Sequence, residues 1–299
     1  VTTVRSERRT VILAALAMTS AVFLFVVMDS LMRVVAREAS VAVVVFLRNA
    51  VQFAALGVWA LASDWTRFVI TRHPLLQIAR GLCLAGTTLF VVLSLTHLTL
   101  SQTYAIALSA PLLATALAGP ALGERTRPLQ WLFIAMGFAG VLIALDPGAP
   151  FLSLALLFPL ALAGLNAVYQ VLTRHTGRTD PMTALLFHAS FWALVVSAIG
   201  ALAFPGMPGL KGVGLLVISG LCGVVSHILL VWAFTNAPAA VVSPMTYSQI
   251  IWASGIGFLV FGEVPTVTTL VGGAIVAVSG VLLIAFSARG VRKRQDASS

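Results

Sequence analysis

The stretch Gly81-Leu82-Cys83 returns as Gly220-Leu221-Cys222, and Gly123-Glu124 returns as Gly262-Glu263. Each recurrence lies 139 residues downstream, and residues 80–124 lie over 219–263 without a gap. Outward from these matches the register continues. Residues 28–61 lie over 169–202 at an offset of 141, which sets Arg33 on Arg174, Phe46 on Phe187 and Leu61 on Leu202. Gly140-Val141-Leu142 falls on Gly280-Val281-Leu282 at an offset of 140. One short match says little, but a register held along the chain reads as an internal duplication.

Composition says what is duplicated. The 299 residues are 60% apolar and 9% charged, with a mean hydropathy of +1.04. Soluble domains run near ~45–50% apolar and ~25% charged, so too few charges exist here to coat a water-facing surface. A membrane-spanning helix takes ~20 apolar residues. Ten runs fit, at residues 11–32, 41–62, 74–95, 101–122, 128–145, 151–173, 182–204, 212–234, 239–261 and 266–287. The breaks between them carry turn chemistry, as at Asp146-Pro147-Gly148 and Pro205-Gly206-Met207-Pro208-Gly209. The fold expected is an all-α integral membrane protein of ten transmembrane helices in two five-helix repeats. The first repeat covers residues 1–146 and the second 147–288, and residues 289–299 form a basic tail. Arg5, Arg8 and Arg9 ahead of Val11 resemble the start of a signal peptide. The apolar run continues to Met28, however, too long for a signal core, and the repeat uses this helix.

Five is odd, so the second repeat is expected upside down relative to the first. Inverted repeats place a solute site near mid-membrane, between the halves, open to either side in turn. The basic residues orient the chain. Thirteen fall on the side of the two termini: Arg5, Arg8, Arg9, Arg67, Arg72, Arg125, Arg127, Arg174, Arg178, Arg289, Arg292, Lys293 and Arg294. Three fall on the other, Arg33, Arg37 and Lys211. Positive residues favour the cytoplasmic side, so both termini are expected there. The net charge of +9 thus reports orientation. No aromatic-interleaved basic surface exists to suggest nucleic acid. Cys83 and Cys222 stand inside apolar runs and read as packing residues.

Most carboxylates stand at helix ends or in loops; Asp29 alone lies within a run, one turn from Arg33, and an i, i+4 pair with that arginine is expected. Arg48 and His188 read as interhelical structure. No His-Glu-x-x-His motif, no pair of intramembrane aspartates and no assembled Ser-His-Asp set supports an enzyme, and no metal or cofactor is expected. The polar residues of the midplane look neutral: Thr87 and Thr88 in the third run, Ser109 in the fourth, Asn166 and Tyr169 in the sixth, His227 in the eighth, and Tyr247, Ser248 and Gln249 in the ninth. Polar groups inside a membrane generally face protein or a wet cavity. This set is the expected substrate site, suited to a neutral or zwitterionic solute. Serines and threonines have a competing use, bonding to their own helix backbone, and Tyr247 and Gln249 point to different faces of one helix. Pro111 and Pro244 occupy repeat-related helices and each removes a backbone hydrogen bond, so they are the expected gating kinks, with Pro159 a weaker third. Gly137, Gly140, Gly272, Gly273 and Gly280 leave the fifth and tenth runs suited to close packing rather than to a cavity.

Gly123-Glu124-Arg125-Thr126-Arg127-Pro128-Leu129-Gln130-Trp131, followed by an apolar helix ending Gly140-Val141-Leu142-Ile143, resembles the end of an EamA domain. Gly262-Glu263-Val264-Pro265 with Gly280-Val281-Leu282-Leu283 resembles it again. Two such units resemble the drug/metabolite transporter superfamily, most closely its YddG-type aromatic amino acid exporters. The resemblance implies export of small organic metabolites, with amino acids favoured, across the bacterial inner membrane. Broad drug efflux is the alternative within transport, and an integral membrane enzyme the alternative outside it. The partners implied are a small-molecule substrate and the lipid bilayer, with no nucleic acid; a monomer is plausible, and the oligomeric state stays open. In each Gly-Glu pair the glycine is expected to close one helix and the glutamate to begin the next.

Overall fold

The computed structural model describes residues 2–122, 128–145, 154–237 and 239–296. Gly123-Glu124 and the turn at Asp146-Pro147-Gly148 lie outside the described residues. Helices account for nearly all the rest: α1 (Thr2–Val35), α2 (Val41–Leu61), α3 (Thr66–Val69), α4 (Pro74–His97), α5 (Leu100–Ala107), α6 (Ala110–Leu122), α7 (Pro128–Ala144), α8 (Leu157–Thr176), α9 (Met182–Ala203), α10 (Leu210–Asn236), α11 (Ala239–Val242), α12 (Gln249–Phe261) and α13 (Val267–Asp296). Eight helical segments among the described residues are long and apolar enough to cross a membrane. The fifth run yields the 17-residue apolar helix α7. The ninth is divided among α11, a 3-10 turn over Ser243–Ser248, and α12. Large apolar side chains such as Leu202, Leu210 and Leu259 point outward, as a surface facing lipid tails requires.

Proline explains both interruptions. Pro111 has no N–H to give the Ala107 carbonyl, and the fourth run breaks at Leu108-Ser109 into α5 and α6. There the Ser109 amide tightens onto the Ile106 carbonyl at 3.0 Å. In the ninth run Pro244 sits in the 3-10 turn. Pro159 behaves differently from expectation. It occupies the first turn of α8, where amides lack intrahelical partners in any case, so no bond is lost and no kink follows. Gly262 closes α12 in the left-handed conformation, φ +67°, as the sequence suggested.

Packing partners come in mates under exchange of the two halves. α1 lies on α10 as α8 lies on α4, and α2 on α10 as α9 on α4. α2 packs on α9, and α7 on α13. The repeat reaches individual atoms. A Cβ added at Gly81 would lie 2.2 Å from the Trp192 Cβ and 3.2 Å from the Ala189 carbonyl. At Gly220 it would lie 2.6 Å from the Val51 Cβ and 3.2 Å from the Arg48 carbonyl. Val51 and Trp192 are themselves related by the repeat, as are Arg48 and Ala189. Equivalent glycines therefore let equivalent helices touch. α7 and α13 approach just as closely, since a Cβ at Gly140 would meet the Gly272 carbonyl at 2.8 Å. This is the small-residue contact expected of the fifth and tenth runs.

Candidate functional site

Among the described residues, buried polar side chains gather in two clusters. The first gathers where α1, α2, α5, α9, α10 and α12 meet. Asp29, Arg48, Asn49 and Gln52 are all nearly inaccessible to solvent, with 5%, 2%, 2% and 4% of their surface exposed. Asp29 accepts a hydrogen bond from the Tyr104 hydroxyl, and Gln249 of α12 lies beside that hydroxyl. Arg48 donates from Nη1 to Asn49 Oδ1 at 2.8 Å and from Nη2 to the Met28 sulfur at 3.3 Å. Asn49 and Gln52 donate across to Ser197 and Ser190 of α9, at 3.3 Å and 3.0 Å. Gly223 lets the α10 backbone come against this group: a Cβ there would lie 3.1 Å from Arg48 Nη2 and 3.6 Å from Gln52 Oε1. His227, one turn on, uses Nδ1 on the Gly223 carbonyl at 2.7 Å and meets the Phe25 ring edge-on at 5.0 Å.

Three expectations are corrected here. Asp29 does not pair with Arg33. Arg33 reaches Glu263 at 2.6 Å and lies over the Phe261 ring, while Asp29 turns inward to Tyr104. An i, i+4 pair inside one helix is worth only ~0.2–0.5 kcal/mol, so tertiary partners override it. Nor is the interior without fixed charge, because Asp29 and Arg48 share one buried region. Glu263 departs from its expected role as well. It does not open the following helix; it accepts the Leu100 amide at 3.0 Å, so it caps the start of α5 in the other half.

The second cluster joins α4 to α8 and α9. Arg80, 1% exposed, donates to Thr173, Gln77, the Leu185 carbonyl and the Tyr169 hydroxyl, and stacks over the Tyr169 ring. Asp180, in the turn before α9, accepts from the Thr71 hydroxyl, the Arg72 amide and Gln77 Nε2. Burial raises the Asp180 carboxyl, but these hydrogen bonds outweigh it and hold the group below its ordinary value of 3.8.

The nine side chains expected at the site separate. His227 and Gln249 border the first cluster. Tyr169 belongs to the second, and neighbouring Asn166 accepts from Gln170 at 3.1 Å on its own helix. Tyr247 is buried elsewhere, its ring against Gly280 of α13 in an apolar cluster with Ile106, Leu112 and Val276. Thr87, Thr88, Ser109 and Ser248 all donate to carbonyls three or four residues back on their own chain. Arg48, Asn49, Gln52 and Tyr104 were absent from the expected site, although an arginine in mid-run was a signal in itself.

A protein-family model, the EamA-like transporter family, matches residues 8–145 and again 153–286. The chain belongs to this family. It is a multi-pass membrane transporter. The S-adenosylmethionine uptake transporter of Rickettsia bellii is 27% identical over 217 residues, 73% of this chain and 74% of that protein. The riboflavin transporter of Vibrio cholerae is 26% identical over 65% of this chain and 66% of its own length. The pseudopaline exporter CntI of Pseudomonas aeruginosa is 24% identical over 91% and 95%. These named relatives carry solutes other than aromatic amino acids, so the similarity is to the family as a whole rather than to YddG-type exporters in particular. A solved crystal structure superposes with a TM-score of 0.66 at 18% identity, over 93% of this chain and 98% of that one, a likeness of fold.

Proposed function

We propose that this transporter moves small polar metabolites across a bacterial inner membrane by alternating access between inverted halves, and that amino acids, aromatic ones included, are exported. The observation that carries the reading is the cluster around Arg48. It draws side chains from both halves, lies in the interior, and is closed off from solvent, as a central solute site is in one phase of the cycle. His227 and Gln249 belong to this site in our reading, with Pro111 and Pro244 as the points where the flanking helices bend. The relatives are named for uptake and for export, which fits a mechanism whose net direction follows the gradients.

Purified protein in liposomes tests this by counterflow of labelled solutes: the standard amino acids, S-adenosylmethionine and riboflavin, with and without a pH gradient. Counterflow of at least one solute is expected. His227→Ala and Gln249→Ala should weaken its affinity roughly 3- to 30-fold at unchanged folding, the loss of a hydrogen bond plus an unpaired polar partner. No counterflow of any solute by well-folded protein overturns the reading. Parent affinity in both variants removes these two side chains from the site.

A further inference from the structure

We infer that Asp29 and Arg48 form a two-pole receptor for a zwitterionic head group, one that carries an ammonium beside a carboxylate. This rests on the transport reading above and narrows its solute class.

The inference starts from what the cluster leaves unsatisfied. Three of its buried polar atoms have no hydrogen-bond partner: Asp29 Oδ1, Arg48 Nε and Gln52 Oε1. An unsatisfied buried polar atom costs about 1–3 kcal/mol, and more when the group is charged, so such atoms are rare unless something else uses them. The three are not alike. Arg48 Nε is a cationic donor and calls for an anionic acceptor. Asp29 Oδ1 and Gln52 Oε1 are acceptors, one of them on a carboxylate, and call for a cationic donor. A single ligand that satisfies all three presents both poles.

The surroundings agree. Arg48 Nη2 and Gln52 Oε1 both lie within 3.6 Å of the position that a Gly223 Cβ would take, so the two groups converge on one spot of the α10 backbone. Met28, whose sulfur receives Arg48 Nη2, is the residue next to Asp29. The partners that are present leave one atom of each pole unpaired: Tyr104 holds the other oxygen of Asp29, while Asn49 and Met28 hold Nη1 and Nη2 of Arg48. The second cluster provides the contrast. Arg80 donates from Nε and both terminal nitrogens, four of its five N–H groups, so every nitrogen of that guanidinium already has a protein partner. The two poles are also unique to the first half, because the repeat places Gln170 on Asp29 and Ala189 on Arg48. The receptor is therefore asymmetric, with its charge supplied by α1 and α2.

The test uses the full chain purified in detergent. The standard L-amino acids and S-adenosylmethionine are ranked by binding. The best-bound amino acid is then compared with its decarboxylated amine and its deaminated acid. Parent protein should prefer the zwitterion to either truncated form by roughly tenfold or more. Asp29→Asn keeps the shape and the bond to Tyr104, and should erase the preference over the deaminated acid. Arg48→Gln should erase the preference over the amine. The double variant, with no buried charge left unpaired, should lose both, which covers the case in which a single variant does not fold. Equal binding of the truncated forms by parent protein overturns the inference, as does undiminished discrimination in the double variant. Counterflow of riboflavin without binding of any zwitterion also overturns it, with the orphaned atoms then holding buried water only, and leaves the transport reading standing. Absence of all counterflow defeats the transport reading instead.

Discussion

Asp180 is 6% exposed and accepts three hydrogen bonds, two of them from the segment between α3 and α4, so it ties the start of α9 to the first half of the chain. Its folded-state carboxyl is held below the ordinary value of 3.8, first against burial and then by Thr71, Arg72 and Gln77. A depressed carboxyl contributes stability above its unfolded value and loses it as pH falls through the folded one. Thermal unfolding of purified protein should therefore drop as pH is lowered below about 4, and Asp180→Asn should flatten that drop while lowering stability near neutral pH by about 1–3 kcal/mol. Identical acid profiles for parent and variant would sink the assignment. Residue identity made part of this legible. Depth alone singles out His227 and Gln249, and the structure sets both beside the cluster around Arg48. Asp29 and Arg48 were visible as charges inside apolar runs, but their partners were not, because Tyr104 stands 75 residues from Asp29 in the chain and only packing brings them together. The hydroxyl groups misled for a local reason: a serine or threonine in a helix has a carbonyl of its own within reach.

At the scale of elements, the punctuation of the sequence was informative because proline and glycine act locally. Breaks ahead of Pro111 and around Pro244, and the left-handed end at Gly262, follow from covalent geometry that no neighbour alters. Glu263 followed the same electrostatic rule that the sequence suggested, yet served a different helix, since which N-terminus comes within reach is decided by packing. The broken helices lie beside the central cluster. α5 carries Tyr104 and α12 begins at Gln249, so a change in either bend moves a hydrogen-bonding group at the candidate site. Pro111→Ala lets residue 111 donate to the Ala107 carbonyl and joins α5 to α6; Pro244→Ala relaxes the 3-10 turn toward an unbroken helix. Both should slow counterflow severalfold while equilibrium affinity changes less than twofold, since the bent conformer loses population without losing its contacts. Counterflow at the parent rate in both variants would place the moving parts elsewhere.

The molecule as a whole was read from one fact, the register between its halves, and the packing repeats that register down to Gly81 on Trp192 and Gly220 on Val51. Exchange of halves relates α1 on α10 to α8 on α4, so each half contributes to the core of the other. What the duplication could not convey is where it is broken: the charged poles occur once, and an asymmetric site is a property of the residues that diverged. Orientation is the remaining consequence. The 13-to-3 division of basic residues predicts Arg67 on the cytoplasmic side and Lys211 on the opposite one. Arg67→Cys and Lys211→Cys, each in a background with Cys83 and Cys222 replaced by serine, test this in intact cells with a membrane-impermeant maleimide. Cysteine at 211 should label from outside, and cysteine at 67, whose native side chain is 75% exposed, only after permeabilisation. Labelling of both from outside would put the two loops on one face. The halves would then not be inverted, and alternating access through a pseudo-two-fold site would lose its geometric basis.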